Sequence, residues 1–267
     1  MRGNGWGERV SLDLHETSTG LQEIAGWVRE AGTVVALAGA GISTESGIPD
    51  FRGPNGVWTK DPKAEKLASL EHYMSDPHVR ARAWQMRLHH PALTARPNRA
   101  HQVLAGLESK GKLDTLITQN IDGLHLAAGS SPERLIEIHG SMREVVCMSC
   151  GSRSPMASAL VRVRSGEPDP SCESCGGILK SATISFGQSL VRADLERARR
   201  AANGCDLFLA IGTSLSVYPV AYLPRLALAS GARVVIFNAE PTPLDPFVDA
   251  LVGGSVGTSL SALAALL

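Results

Sequence analysis

Two Cys-x-x-Cys pairs, Cys147/Cys150 and Cys172/Cys175, must converge if they share one ion, and this constrains the fold of the chain more than any other feature. A gap of two residues lets one tight turn present both sulfurs to an ion, and two such turns complete a tetrahedral zinc shell. The stretch between the pairs is close to the span of a zinc ribbon. Four thiolates leave no open position for water, so the expected metal holds structure and takes no part in chemistry. Two disulfides are the alternative; the lack of an export signal weighs against them. Cys205 precedes the apolar run 207–211 and reads as a buried, inert thiol.

Composition narrows the class. The 267 residues suit one large and one smaller domain. Hydrophobic residues at 43% against 19% charged describe a globular chain. Basic and acidic residues balance at 26 each, without the basic excess expected of a nucleic-acid binder, so no nucleic-acid partner is expected. Residues 1–20 form a polar, Gly-rich N-terminal tail unlike a signal peptide. No apolar run reaches membrane-spanning length, so no membrane partner is expected. The expected compartment is the reducing cytoplasm, which suits thiolate–zinc chemistry. Arginine outnumbers lysine and alanine is plentiful, which points to a GC-rich bacterial genome.

Strands and helices alternate along the chain. Thr19 with Gln22 has the form of a capping box, and Leu21, Ile24, Ala25 and Val28 follow at helical spacing. Gly32 ends that helix. Residues 33–37 make a short, continuously apolar strand of the kind buried on both faces of a parallel sheet. The cadence predicts further strands over 113–118, 135–138, 206–211 and 234–237, and helices over 190–202, 219–230 and 260–267. The expected class is α/β, with a doubly wound, Rossmann-like parallel sheet. Two stretches break the cadence. Residues 49–99 are mixed and proline-containing, and 141–182 carry the cysteines and a Gly/Pro/Ser-rich segment. Both are expected to leave the sheet and build a smaller zinc-ribbon/helical domain.

The first strand runs into Gly39-Ala40-Gly41. Without a Cβ, glycine lets a pyrophosphate approach the backbone, and a helix start there adds its positive end. A plain tight turn is the alternative, and the third glycine, Gly47, falls six residues after Gly41, outside the common dinucleotide fingerprint. The run continues through Ser43, Thr44, Glu45 and Ser46 to Ile48-Pro49-Asp50-Phe51-Arg52. Then come Thr118-Gln119-Asn120-Ile121-Asp122-Gly123-Leu124-His125, His139-Gly140, Gly212-Thr213-Ser214 and Asn238. With the four cysteines, these motifs closely resemble the sirtuin family of NAD-dependent protein deacylases, in the family's order and from about Leu21 to the C-terminus.

The resemblance implies an NAD-binding Rossmann-like domain from 21–48, 100–140 and 183–267, and a small domain from 49–99 and 141–182. NAD, consumed as a co-substrate, and an acyl-lysine peptide would meet in the cleft between them, beside one structural zinc. Ala40, Gly41 and Ser43 would contact the diphosphate, with Gly39 and Glu45 in the same segment. Pro49, Asp50, Phe51 and Arg52 would form a cofactor-binding loop. Gln119, Asn120, Ile121 and Asp122 would line the ribose and nicotinamide pocket. Gly212, Thr213, Ser214, Asn238, Ala239 and Glu240 would hold the adenosine half, and Val256 would touch adenine. Catalysis would fall to His139, Asn120 and Asp122. A base titrating near neutrality suits removal of a proton from a ribose hydroxyl. For His139 the alternative is a structural histidine; for Asn120 and Asp122 it is turn chemistry, which Asn-x-Asp-Gly favours.

The family adds its peptide as a strand between two segments, here Phe186-Gly187 and Leu215-Ser216-Val217; plain loops are the alternative. Gln188 stands where many sirtuins have glutamate, and Ser185 where a hydrophobic residue is usual. Sirtuins that remove acidic acyl groups share a Tyr-x-x-Arg pair. Its nearest counterpart here is Trp84 and Arg87, candidate substrate contacts for which a core Trp beside a solvated Arg is the alternative. The expected function is NAD-dependent protein lysine deacylation, most simply deacetylation. The alternatives are protein mono-ADP-ribosyl transfer, a non-catalytic NAD-sensing scaffold, and a redox dehydrogenase for which the cysteines and the Gln-Asn-Ile-Asp run have no use.

Overall fold

The computed structural model describes residues 12–13, 18–51, 53, 56–60 and 68–267. In chain order its strands are β1 (Leu12–Asp13), β2 (Val34–Ala38), β3 (Thr115–Thr118), β4 (Leu135–Glu137) and β5 (Gly140–Cys147). They continue with β6 (Arg153–Pro155), β7 (Leu179–Thr183), β8 (Leu207–Ile211), β9 (Arg233–Phe237) and β10 (Ala250–Val252). Seven strands form one sheet in the order β1-β10-β9-β8-β2-β3-β4, parallel at every pairing. The other three form an antiparallel sheet, β6-β5-β7.

Every residue of β2, β3 and β8 is buried, as apolar strands between two helical layers must be. Successive side chains point to opposite faces. Val34, Ala36 and Ala38 join the core under helices Ser18–Glu30, Arg99–Ser109 and Val256–Ala265. Val35 and Leu37 join the core under helices Arg192–Gly204 and Leu223–Ala229. The doubly wound sheet is therefore as expected. β2 lies between β3, which follows it in this sheet, and β8, reached only after the antiparallel excursion. The connections reverse direction there, and the crevice beyond such strand ends is where open α/β sheets bind ligands.

Several boundaries differ from expectation. The first helix begins at Ser18, so Thr19 lies inside the first turn and not at the cap. The helix expected over 219–230 is two pieces, a 3-10 turn Val220–Tyr222 and a helix Leu223–Ala229. The last helix starts at Val256, because Ser255 accepts a hydrogen bond from Thr258 N at 3.1 Å and caps it. Helix Arg99–Ser109, absent from the sequence reading, carries its own signals. Ala100, Val103, Leu104 and Leu107 recur at helical spacing, and Asn98 with His101 makes a reciprocal cap.

The antiparallel sheet has its own core of Trp84, Val145, Cys147, Leu160 and Leu179. Trp84 comes from helix Pro77–Leu88, capped by Asp76, which accepts from His78 N at 2.8 Å. Tyr73 donates to Leu179 O at 2.8 Å, and Arg80 pairs with Asp169 at 2.7 Å. The helical excursion and the cysteine-bearing segment thus close on each other.

Candidate active site and metal centre

Two loops meet at the reversal point. Gly39 N donates to Ile211 O at 2.9 Å and Gly41 N to Gly212 O at 2.8 Å. A Cβ on Gly39 would stand 2.6 Å from Gly212 O, and one on Gly41 2.8 Å from Gly212 Cα. Gly212, at φ 58, is equally tight against Ile42 N at 2.5 Å. The bare Cα atoms therefore serve loop-to-loop packing before any ligand arrives. Loop docking is thus a second reason for the bare Cα atoms beside the expected approach of a pyrophosphate, and the Gly41 N–H is taken up by Gly212 O. A seven-residue 3-10 helix, Ala40–Ser46, follows β2 and ends on Gly47 at φ 82. Gln119 Nε2 donates to Thr213 Oγ1 at 2.8 Å and joins the β3 loop to the β8 loop.

Beneath this seam lies a closed polar network. Ser43 Oγ donates to Asp122 Oδ2 at 2.8 Å. Asn120 Nδ2 donates to Ser43 Oγ at 3.1 Å and to Gly39 O at 3.0 Å. His101 Nε2 lies 3.4 Å from Ser43 Oγ. Asn98 holds the other side of the ring, its backbone N 3.3 Å and its Oδ1 2.9 Å from His101 Nδ1. Burial pushes the His101 pKa down to about 4, and the ring is neutral at pH 7. Asp122 Oδ1 accepts from Leu124 N at 2.9 Å, which fixes the carboxylate from a second side. His101 had not been singled out from sequence. The reciprocal cap with Asn98 is the signal that could have found it.

His139, between β4 and β5, stands at the rim. Its Nδ1 lies 3.0 Å from Gln119 O. A carbonyl only accepts, so Nδ1 carries the proton and Nε2 keeps its lone pair. Burial holds the His139 pKa below the ordinary imidazole value, the carbonyl contact opposing it more weakly. An unprotonated base is therefore present at neutral pH.

The remaining expected residues scatter around this centre. Glu45 is engaged by the last helix: Oε1 accepts from Ser255 Oγ at 2.7 Å and Gly257 N at 3.0 Å, anchoring its N-terminus. Val256 is buried in that first turn. Pro49 is exposed and Phe51 is 42% exposed, while Asp50 accepts from Gly53 N at 2.9 Å. Arg52 lies outside the described residues. Ile121 O accepts from Met142 N at 3.0 Å. Ser214 O accepts from Ser216 Oγ at 3.1 Å. Asn238, just past β9, donates through Nδ2 to Glu240 O at 2.6 Å, with Ala239 and Glu240 exposed beside it.

On the substrate side, Phe186 N donates to Ala68 O at 2.8 Å and accepts through its carbonyl from Leu70 N at 2.9 Å, so one edge of this segment is already paired. Gly187 takes φ 80, and Gln188 Oε1 accepts from Ser185 N at 3.2 Å, closing the turn. Leu215 is held at φ 50, a strained angle for a residue with a side chain, and it sets the exposed Ser216 and half-buried Val217. Trp84 is fully buried in the small core, the alternative the sequence left open. Arg87 donates to Ala83 O at 3.0 Å and lies over the Tyr73 and Trp84 rings at 5.8 and 5.6 Å. The fully buried Lys180, missed from sequence, donates to Ser181 O and Thr183 O, and burial lowers its pKa to about 8.

The four paired cysteines converge as required. Their sulfurs all lie within 4.8 Å of one another, with Cys147 and Cys175 3.5 Å apart and Cys150 and Cys172 3.8 Å apart. A tetrahedron with Zn–S near 2.3 Å has edges of about 3.8 Å, and a disulfide needs about 2.05 Å. All five cysteines are free thiols. The donor set fits a closed zinc shell and excludes the disulfide alternative. Cys205 is buried, and burial raises its pKa to about 12, which makes it inert.

With the site in view, comparison with known proteins is decisive. A model of the Sir2 family matches residues 39–219. The chain belongs to the Sir2 family. It is 50% identical over 230 residues to NAD-dependent protein deacetylase 2 of Streptomyces coelicolor, covering 86% of this chain and 95% of that one. NAD-dependent protein deacetylase 1 of Pyrobaculum aerophilum is 43% identical, at 89% and 91% coverage. A solved Sir2 complex with a p53 peptide and NAD+ superposes with a TM-score of 0.81 at 33% identity, covering 90% of this chain and 95% of that one. The Sir2 fold therefore spans both sheets, and the sites described above lie at its strand ends.

Proposed function

We infer that this chain is an NAD-dependent protein lysine deacylase, most simply a deacetylase, that moves the acyl group of a lysine to ADP-ribose and releases nicotinamide. The observation that carries this is His139, its proton fixed on Nδ1, standing at the strand ends beside the Ser43–Asn120–Asp122 network. NAD supplies a ribose whose bond to nicotinamide breaks. The protein's own groups do the rest. His139 Nε2 accepts a proton from a ribose hydroxyl. Asp122, anchored by Ser43 and Leu124, accepts from the nicotinamide amide, and Asn120 orients the ribose or a water. Gly212 to Ser214 and Asn238 to Glu240 hold the adenosine half, with Val256 against adenine.

The acyl-lysine peptide adds between Phe186-Gly187 and Ser216-Val217. We assign Trp84 to packing, and of the two acyl-pocket candidates only Arg87 is a partly exposed residue. The small domain is assigned to 49–99 and 141–182, in keeping with β6 and most of β5 and β7 falling inside the second range, and zinc holds it together. Among the described residues no helix is long and apolar enough to cross a membrane. Four reduced thiolates around zinc support a cytoplasmic setting. The test is to incubate the purified chain with NAD and a panel of acyl-lysine peptides and weigh the products. Free nicotinamide with acyl-ADP-ribose is expected. An intact nicotinamide–ribose bond, or ADP-ribose left on a protein, overturns the assignment.

A further inference from the structure

Arg143 belongs to none of the sites above, yet its side chain lies on the turn that carries Asp122. β5 starts irregularly: Gly140 faces Thr183, but Val145 faces Ser181, so the residues between bulge outward. Bulges re-aim side chains, and this one brings Met142 N to Ile121 O and lays Arg143 over Gly123. A Cβ on Gly123 would stand 2.8 Å from Arg143 Cδ and 3.0 Å from Nε. The arginine stem thus fills the space that the glycine, at φ 75, leaves. The guanidinium is gripped on two sides: Nε donates to Ser141 Oγ at 3.1 Å and Nη2 to Glu137 Oε2 at 3.1 Å.

Glu137 explains why a cation is wanted there. Its side chain is only 19% exposed, and it lies close enough to Asp122 for the two carboxylates to repel. Burial raises the Glu137 pKa, and Arg143 opposes that rise. Asp122 also acts on His90 and His101, where it opposes the lowering of each pKa by burial.

We propose that Arg143 is a positioning residue, clamping the Ile121–Gly123 turn and screening Glu137 so that Asp122 keeps its pose toward nicotinamide. This rests on the assignment of Asp122 to the nicotinamide end. The test compares Arg143→Ala, Arg143→Met, which keeps the stem but loses the fork, and Arg143→Lys, which keeps the charge. In Arg143→Ala, KM for NAD and the nicotinamide concentration for half-inhibition should rise together, about tenfold, because the turn that carries Asp122 loses its clamp and a small misplacement of a binding group is costly. KM for the acyl-peptide and the melting temperature should stay near wild type, since the arginine side chain is 48% exposed. Arg143→Lys should recover part of the loss. A residue that only stabilises the fold would move the melting temperature and the peptide KM as well, and that pattern refutes the clamp. So does an Arg143→Ala enzyme with wild-type NAD and nicotinamide constants. Should Arg143→Ala fail to fold, Arg143→Met gives the same reading. A wild-type chain that does not cleave NAD defeats the parent assignment instead, and the clamp with it.

Discussion

Replacing Gly39 by alanine separates two reasons for a bare Cα. The backbone there is extended, at φ −121 and ψ −172, so alanine meets no conformational objection. Its Cβ would nonetheless lie 2.6 Å from Gly212 O, 2.7 Å from Thr213 Cβ and 2.9 Å from Thr213 Cα. Two of these atoms are backbone, so no rotamer change relieves the overlap, and the two loops must part. Overpacking of this kind costs about 1–3 kcal/mol. Taking about 2 kcal/mol, a chain of this size should melt roughly 4–8 °C lower. A matched control is Gly106→Ala, in the middle of helix Arg99–Ser109, where a Cβ meets nothing within 4 Å. It should stabilise by about 0.5–1 kcal/mol, because alanine loses less backbone freedom on folding. Both are measured by urea denaturation without ligand, alongside the KM for NAD. If Gly39→Ala unfolds at the wild-type urea concentration while its KM for NAD rises, the glycine is bare for the phosphate and the loop-docking argument fails.

Other outcomes follow from the same geometry. His139→Ala should lower turnover at least about a hundredfold while NAD still binds; near-normal turnover would remove His139 from the mechanism. Cys147→Ser or Cys172→Ser, each at a buried ligand, should release zinc and lower the melting temperature, read by metal analysis and calorimetry. An equally stable, metal-free variant would contradict the structural role. His125 and His101, held neutral with pKa values of about 3 and about 4, bind fewer protons folded than unfolded below the free-imidazole pKa of about 6.5. Their contribution is complete above that pH and is lost as the pH falls. Urea denaturation at pH 7 and pH 5 should show the drop, and equal stability at the two would refute the assigned neutral rings.

Local pattern alone determined much of this protein. Continuous apolar runs at 34–37 and 207–211 had to be buried parallel strands, and a Cys-x-x-Cys turn presents two sulfurs whatever surrounds it. The Asn-Ile-Asp-Gly and His-Gly motifs carried the family resemblance on which the proposed site rests. Tertiary contact decided the rest, because it joins residues far apart in the chain. Gly39 and Gly41 are bare for Gly212, Glu45 serves the last helix, and Trp84 is sealed in a core built from the cysteine-bearing segment. The proton on His139 is placed by a carbonyl twenty residues away, and Ser43 answers to Asp122 and His101. Periodicity reports which face of an element is apolar. It carries no information on which distant group stands opposite a polar side chain, and that partner sets whether the group binds, catalyses or only packs.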